Sequence, residues 1–116
     1  MAATKSKPGL DLTDVIEHVD EAAALLKALA NDQRLIVLCC LLDGPLSVGE
    51  INSRVPLSQS ALSQHLGVLR TAEVVTTRRQ SQTIYYELAK GPATKIMAAL
   101  HAAFCAPRAK HRTSRA

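Results

Sequence analysis

Between Ser47 and Arg70 the chain places two short helical segments end to end with very little room to turn. Ser47 with Glu50 three residues later is a capping box, in which each side chain satisfies the other residue's backbone N–H. It starts a helix in "VGEINSRV". Pro56 stops that helix, and Ser58 opens another, "SQSALSQHLGVLR". Two short helices joined through "VPL" carry the signature of a helix-turn-helix.

The second of these helices has two unlike faces. Leu62, Leu66 and Leu69 recur at helical spacing and seat it on a core. The other face carries Gln59, Ser60, Ser63 and Gln64, where a merely solvated helix would normally show Lys and Glu. Amides and hydroxyls hydrogen-bond base edges in a major groove without the desolvation cost of a full charge. An ordinary wet face is the plain alternative for these four residues. Gly67, in mid-helix, costs about 1 kcal/mol relative to Ala and points to a close approach there. That approach is by DNA backbone or by a neighbouring helix.

The flanking segments turn this motif into a larger arrangement. Thr13 or Asp14 is placed to cap a first helix, along which Val15, Ile16, Val19, Ala22, Ala23, Leu26 and Leu29 recur. Asn31 or Asp32 starts a second, whose "RLIVLCCLL" is apolar all round and is expected to be buried on nearly every side. Asp43-Gly44-Pro45 ends it. After Ala72 the run becomes β-branched and aromatic. It predicts strands over 74–78 and 83–88, joined around 79–82. Gly91-Pro92 opens a last helix with Ile96, Met97, Leu100 and Phe104 on one stripe. Helix, helix, helix-turn-helix, hairpin, helix is a mainly α chain with a β-hairpin, the winged helix-turn-helix order. Residues 13–106 form the domain, 1–12 a loose arm and 107–116 a disordered basic tail. The length of 116 residues suits one such domain.

In this arrangement Ser58, Gln59, Ser60, Ser63, Gln64 and Arg70 face duplex DNA, and Arg78 and Arg79 extend the contact from the wing. His65 meets phosphate or base, or packs against the wing. The charge agrees. Residues 1–50 hold four Lys or Arg against eight Asp or Glu, and residues 51–116 hold ten against two. A basic half beside an acidic half fits an anionic polymer. The longest apolar run, residues 35–42, is too short to span a bilayer, and the first residues do not form a signal peptide. The chain is expected in the cytoplasm, away from membranes and without a cofactor.

Three cysteines in a reducing compartment are not a disulfide framework. Cys39 and Cys40 are consecutive on a helix, about 100° apart, and cannot both face one partner. An all-round apolar helix does not say which one does. Cys105 ends the last helix, one turn after His101. Valines and isoleucines on the first helix (Val15, Ile16, Val19) and the stripe on the last (Ile96, Met97, Leu100, Phe104) suit an isologous dimer contact.

The segments "LLKALANDQRLIVL", "LSVGEI", "LSQSALSQHLGVLRTAEVVTTRR" and "IYYEL" together resemble the ArsR/SmtB family of bacterial winged-helix repressors. The resemblance covers about residues 24–105. It implies a dimeric repressor, joined mainly through its first and last helices, whose hold on operator DNA is weakened by an inducer. Metal sensors of the family carry Cys-Val-Cys where this chain has Ser47-Val48-Gly49; others use Asp and His pairs along the last helix, where this chain offers His101. "RLIVLCCLLDGPLSVGEI" with "IMAALHAAFC" instead resembles the sulfide- and persulfide-responsive branch, of the biofilm growth-associated repressor and haemolysin-regulator type. That branch has one cysteine in the second helix and one in the last, which map onto Cys39 and Cys105. Cys40 is a departure from the pattern. The expected inducer is a reactive sulfur species. One alternative is soft-metal or general-oxidant sensing through the same cysteines. The other is a small thiol enzyme using Cys105 with His101, against which stand the few glycines and the short chain.

Overall fold

The computed structural model describes residues 11–105. Most of the expected arm and all of the expected tail lie outside them. Helix α1 spans Leu12–Leu29 and α2 spans Asp32–Cys40, continued by a single 3-10 turn at Leu41–Asp43. The two-residue strand β1 (Leu46–Ser47) leads into α3 (Val48–Arg54) and α4 (Gln59–Thr71). Strands β2 (Val75–Gln80) and β3 (Thr83–Leu88) form the wing, and α5 (Pro92–Phe104) closes the chain.

The caps explain most of these boundaries. Asp11, not Thr13 or Asp14, caps α1, its carboxylate accepting from the Thr13 N–H at 2.9 Å. The helix therefore begins one residue inside the expected arm. Asn31 caps α2 through the Arg34 N–H at 3.0 Å. The capping box at α3 forms as the Ser47/Glu50 pattern predicts: the Ser47 N–H donates to Glu50 Oε1 at 2.9 Å, and the Glu50 N–H donates to Ser47 Oγ at 3.2 Å. Gly44, at φ +139°, and Gly91, at φ +134°, supply the backbone turns after α2 and before α5.

The sheet is antiparallel with order β1-β3-β2. β1 pairs Leu46 with Tyr86 and Ser47 with Tyr85, while the wing ladder runs from Val75↔Leu88 to Gln80↔Thr83. The wing is longer than the sequence predicts. Arg79 and Gln80 belong to β2, and only Ser81-Gln82 remain as the turn, with Ser81 at φ 60°. Residues 78–83 are all exposed, so no alternation of burial marks them as strand.

Val37, Leu38, Leu41, Ile51, Leu62, Leu66, Leu69, Val74, Val75 and Met97 make the core. Two expectations change here. α2 is not buried on every side: Ile36 is 41% exposed and Cys39 lies at the surface. Met97 does not belong to an exposed dimer stripe. It is 1% exposed, because with Ala93 it faces inward and anchors α5 to the core. α1 is the opposite case. Of its 18 residues only Ala28 and Leu29 are buried, and Leu12, Val15, Ile16, Val19 and Leu26 are exposed. No helix among the described residues is long and apolar enough to cross a membrane.

Candidate nucleic-acid interface and thiol pair

α4 is held from one side only. Leu62, Leu66 and Leu69 are at most 2% exposed, whereas Gln59, Ser60, Ser63, Gln64, Gly67 and Val68 face solvent. Ser58 precedes the helix and its Oγ accepts from the Ala61 N–H at 3.1 Å, so the hydroxyl oxygen is used as a cap. A Cβ built at Gly67 meets nothing within 4 Å. The close approach expected at Gly67 therefore comes from no other part of the described residues. Arg70 is exposed in the last turn.

Arg78 and Arg79 are both exposed on β2, but consecutive strand residues point to opposite faces. The two guanidiniums therefore serve different sides of the wing. Arg54, at the end of α3, is a further exposed cation that the sequence reading passed over. Among the described residues the one contact of a basic side chain with a carboxylate at salt-bridge distance is that of His18 with Glu21, at 3.3 Å, so none of these arginines is neutralised by a carboxylate. Cations left unpaired beside a polar helix face suit a phosphate backbone.

His65 has a partner on another helix. Its Nε2 lies 2.9 Å from Gln33 Oε1, in the first turn of α2. Gln33 had no signal of its own in the sequence, since the pair joins positions 32 residues apart.

The cysteines are all free. α2 and α5 pack together, which brings Cys39 under the influence of Cys105. Surrounding protein removes part of the water around the Cys39 sulfur and raises its pKa. The neighbouring Cys105 thiol raises it further, and Cys40 adds a smaller effect of the same sign. Cys40 is half-buried against the core. Burial raises its pKa too, but the charges it feels next are Arg54, which lowers it, and Asp43, which raises it. The consecutive thiols, left open by the sequence, differ in the charges that act on them: Cys105 acts on Cys39, while Arg54 and Asp43 act on Cys40. Val15, Ile16 and Val19 are exposed on α1 and Phe104 on α5, while Ile96 and Leu100 are half-buried against the core. His101 is exposed. Among the described residues no group of three or more His, Cys, Asp or Glu side chains is placed to share one metal ion.

The family described as "Bacterial regulatory protein, arsR family" matches residues 31–77, from the cap of α2 into the wing. The "Transcriptional activator HlyU" of Vibrio cholerae is 46% identical over 96 residues, covering 83% of this chain and 89% of that protein. This chain belongs to the ArsR family. It is a DNA-binding regulator of transcription and not an enzyme. The biofilm growth-associated repressor of Agrobacterium fabrum is 48% identical over 91 residues, 78% of each chain. The solved structure of reduced HlyU from Vibrio cholerae superposes with a TM-score of 0.75 at 46% identity, covering 80% of this chain and 98% of that one. A homodimeric winged helix-turn-helix DNA-binding domain from Mycobacterium bovis gives 0.68 at 27% identity, over 77% and 82%.

Proposed function

We propose that this ArsR-family chain is a homodimeric repressor that leaves its operator when a persulfide joins Cys39 to Cys105. The observation that carries the reading is the thiol pair itself. Cys39, on α2, feels the charge of Cys105 at the end of α5, where these helices pack together, while for Cys40, adjacent in sequence, the charges that act are those of Arg54 and Asp43. The repressor named among the relatives and the relative solved in a reduced form are consistent with it.

The chemistry balances. One thiolate attacks the outer sulfur of a persulfide RS–SH, forming a protein persulfide and releasing RSH after protonation. The second thiolate attacks the protein-bound sulfur and expels HS⁻. Two protein thiols lose two electrons, and the persulfide is reduced to a thiol and hydrogen sulfide. Further sulfur lengthens the bridge and relaxes the Cα spacing of about 4.4–6.8 Å that a plain disulfide needs. Pulling α5 against α2 shifts the two reading helices of the dimer, whose half-site spacing is strict.

The raised pKa of Cys39 sets a pH signature. Cys39 reacts as thiolate, and a raised pKa keeps it mostly protonated near neutrality. Persulfide-triggered release, measured in chelator-treated buffer, should speed up about tenfold from pH 7 to pH 8 and keep rising above the range of an ordinary thiol. A rate that levels off below pH 8 contradicts a raised Cys39 in the reaction. Release by cobalt or zinc, with thiolate absorption and no response to persulfide, selects the metal reading instead.

For DNA, Ser63→Ala or Gln64→Ala should cost about 1–3 kcal/mol of discrimination between operator and mutated operator. Arg79→Ala should weaken both sequences alike, because phosphate contacts carry no base information. Competition binding checks this. Unchanged operator preference in the α4 variants removes the reading-helix assignment.

A further inference from the structure

The contact between α2 and α4 is apolar over most of its extent. Val37 and Leu38 on one helix and Leu62, Leu66 and Leu69 on the other belong to the same core. Apolar packing is non-directional. It fixes how close two helices lie and which face of each is buried, but over a turn of some degrees it penalises misplacement less sharply than a directional contact. A hydrogen bond is directional and sets that turn.

We propose that the Gln33–His65 hydrogen bond is the joint that fixes the rotation of the reading helix, and that His65 is a positioning residue for operator recognition. The 2.9 Å bond is, among the described residues, the only one between side chains of two different elements. Gln33 Oε1 is an acceptor, so His65 Nε2 carries the proton and donates. The next residue, Arg34, is tied the other way. Its Nε donates to the Ala28 carbonyl at 2.7 Å and its Nη2 to the Lys27 carbonyl at 3.2 Å, both in the last turn of α1. The first turn of α2 thus grips α1 with one residue and α4 with its neighbour.

The leverage is geometric. His65 follows directly on Ser63 and Gln64. With side chains reaching about 5 Å from the helix axis, a rotation of about 20° carries their tips about 2 Å sideways. That is larger than the window of about 0.5 Å in which a hydrogen bond to a base edge is well made. Contacts to phosphate from flexible arginines tolerate such a shift. The joint therefore acts on specific binding and spares non-specific binding.

This inference rests on α4 being the reading helix and not on the thiol chemistry, so it is tested on the reduced protein. Operator affinity, affinity for an unrelated duplex and melting temperature are measured for Gln33→Ala, His65→Ala and the double variant. Each single variant is expected to lose about tenfold in operator affinity. The double variant should lose no more than either single one, and all should bind the unrelated duplex as the wild type does. Three results overturn the joint. They are operator binding by Gln33→Ala like that of the wild type, multiplication of the two losses (which makes His65 a direct DNA contact), and equal loss of both duplexes. Gln33 is exposed on α2, so if His65→Ala fails to fold, Gln33→Ala decides alone by the first and third criteria. Loss of discrimination in Ser63→Ala with none in Gln33→Ala sinks the joint and keeps the reading helix. No loss in either removes the reading helix itself.

Discussion

Cys39→Ser and Cys105→Ser are each expected to bind the operator like the wild type and to stay bound when persulfide is added, while Cys40→Ser lets go. In the wild type the modification should lower affinity by about 5–150-fold, the usual range of coupling between two sites. In the two unresponsive variants that factor falls to one, because neither can complete a bridge. The separation follows from which charges act on each thiol. Cys39 feels Cys105, whereas Cys40 feels Arg54 and Asp43. Serine is close to a thiol in size and more polar, and none of the three residues is fully buried, so a hydroxyl is accommodated and the reduced fold is preserved. A Cys40→Ser that ignores persulfide beside a responsive Cys39→Ser reverses the choice of partner. Response in all three removes thiol sensing. Bridging also closes a long loop, which constrains the unfolded chain by about 4 kcal/mol in the chain-entropy model. That effect raises the melting temperature and cannot by itself release DNA, so melting and release are measured separately.

Ile16→Glu and Phe104→Glu are expected to give folded monomers that have lost most of their operator affinity. α1 buries almost none of its apolar side chains within its own chain: Ile16 is 68% exposed, and Phe104 at the end of α5 is 78% exposed. Exposed apolar patches of this kind mark an interaction surface. A second copy is the occupant that the proposed homodimer puts there; a relative at 27% identity is described as homodimeric. A charge placed there must be desolvated on assembly and is left unpaired, whereas in the monomer it stays in water. The DNA effect exceeds the loss of one contact. A dimer binds its second half-site intramolecularly, and losing that linkage costs about 10²–10⁴ in affinity. Sedimentation and operator titration check both halves. The half-buried Leu100 is the poorer probe, since it also packs on the core. If either variant sediments as a stable dimer, that residue is not in the interface.

What was legible in the sequence is what is encoded locally. The capping box at Ser47 and Glu50, the stop at Pro56, the cap at Ser58 and the leucines of α4 each act within a turn or two. Together they define the helix-turn-helix and its polar face. The misplacements have tertiary causes. Asp11, Thr13 and Asp14 are all good caps, and nothing local ranks them. β1 is a strand only because Tyr85 and Tyr86 pair with it from far along the chain. Met97 lies on the same sequence stripe as Phe104, yet one is buried and the other exposed. Helical spacing describes a face and not what covers it. The surroundings of Cys39 and the bond from Gln33 to His65 likewise depend on how α2 sits against α5 and α4, information held by no single segment.

The central claim is a covalent link between two named sulfurs, and mass spectrometry without reduction reads it directly. Reduced protein is treated with a persulfide, its intact mass recorded, and its peptides fragmented between Cys39 and Cys40. The account predicts a single-chain product in which Cys39 is joined to Cys105, lighter by about 2 Da for a plain disulfide and heavier by about 32 Da for each inserted sulfur. Cys40 remains a free thiol. A bridge through Cys40, a bridge between two chains, or DNA release with all three thiols unmodified contradicts it.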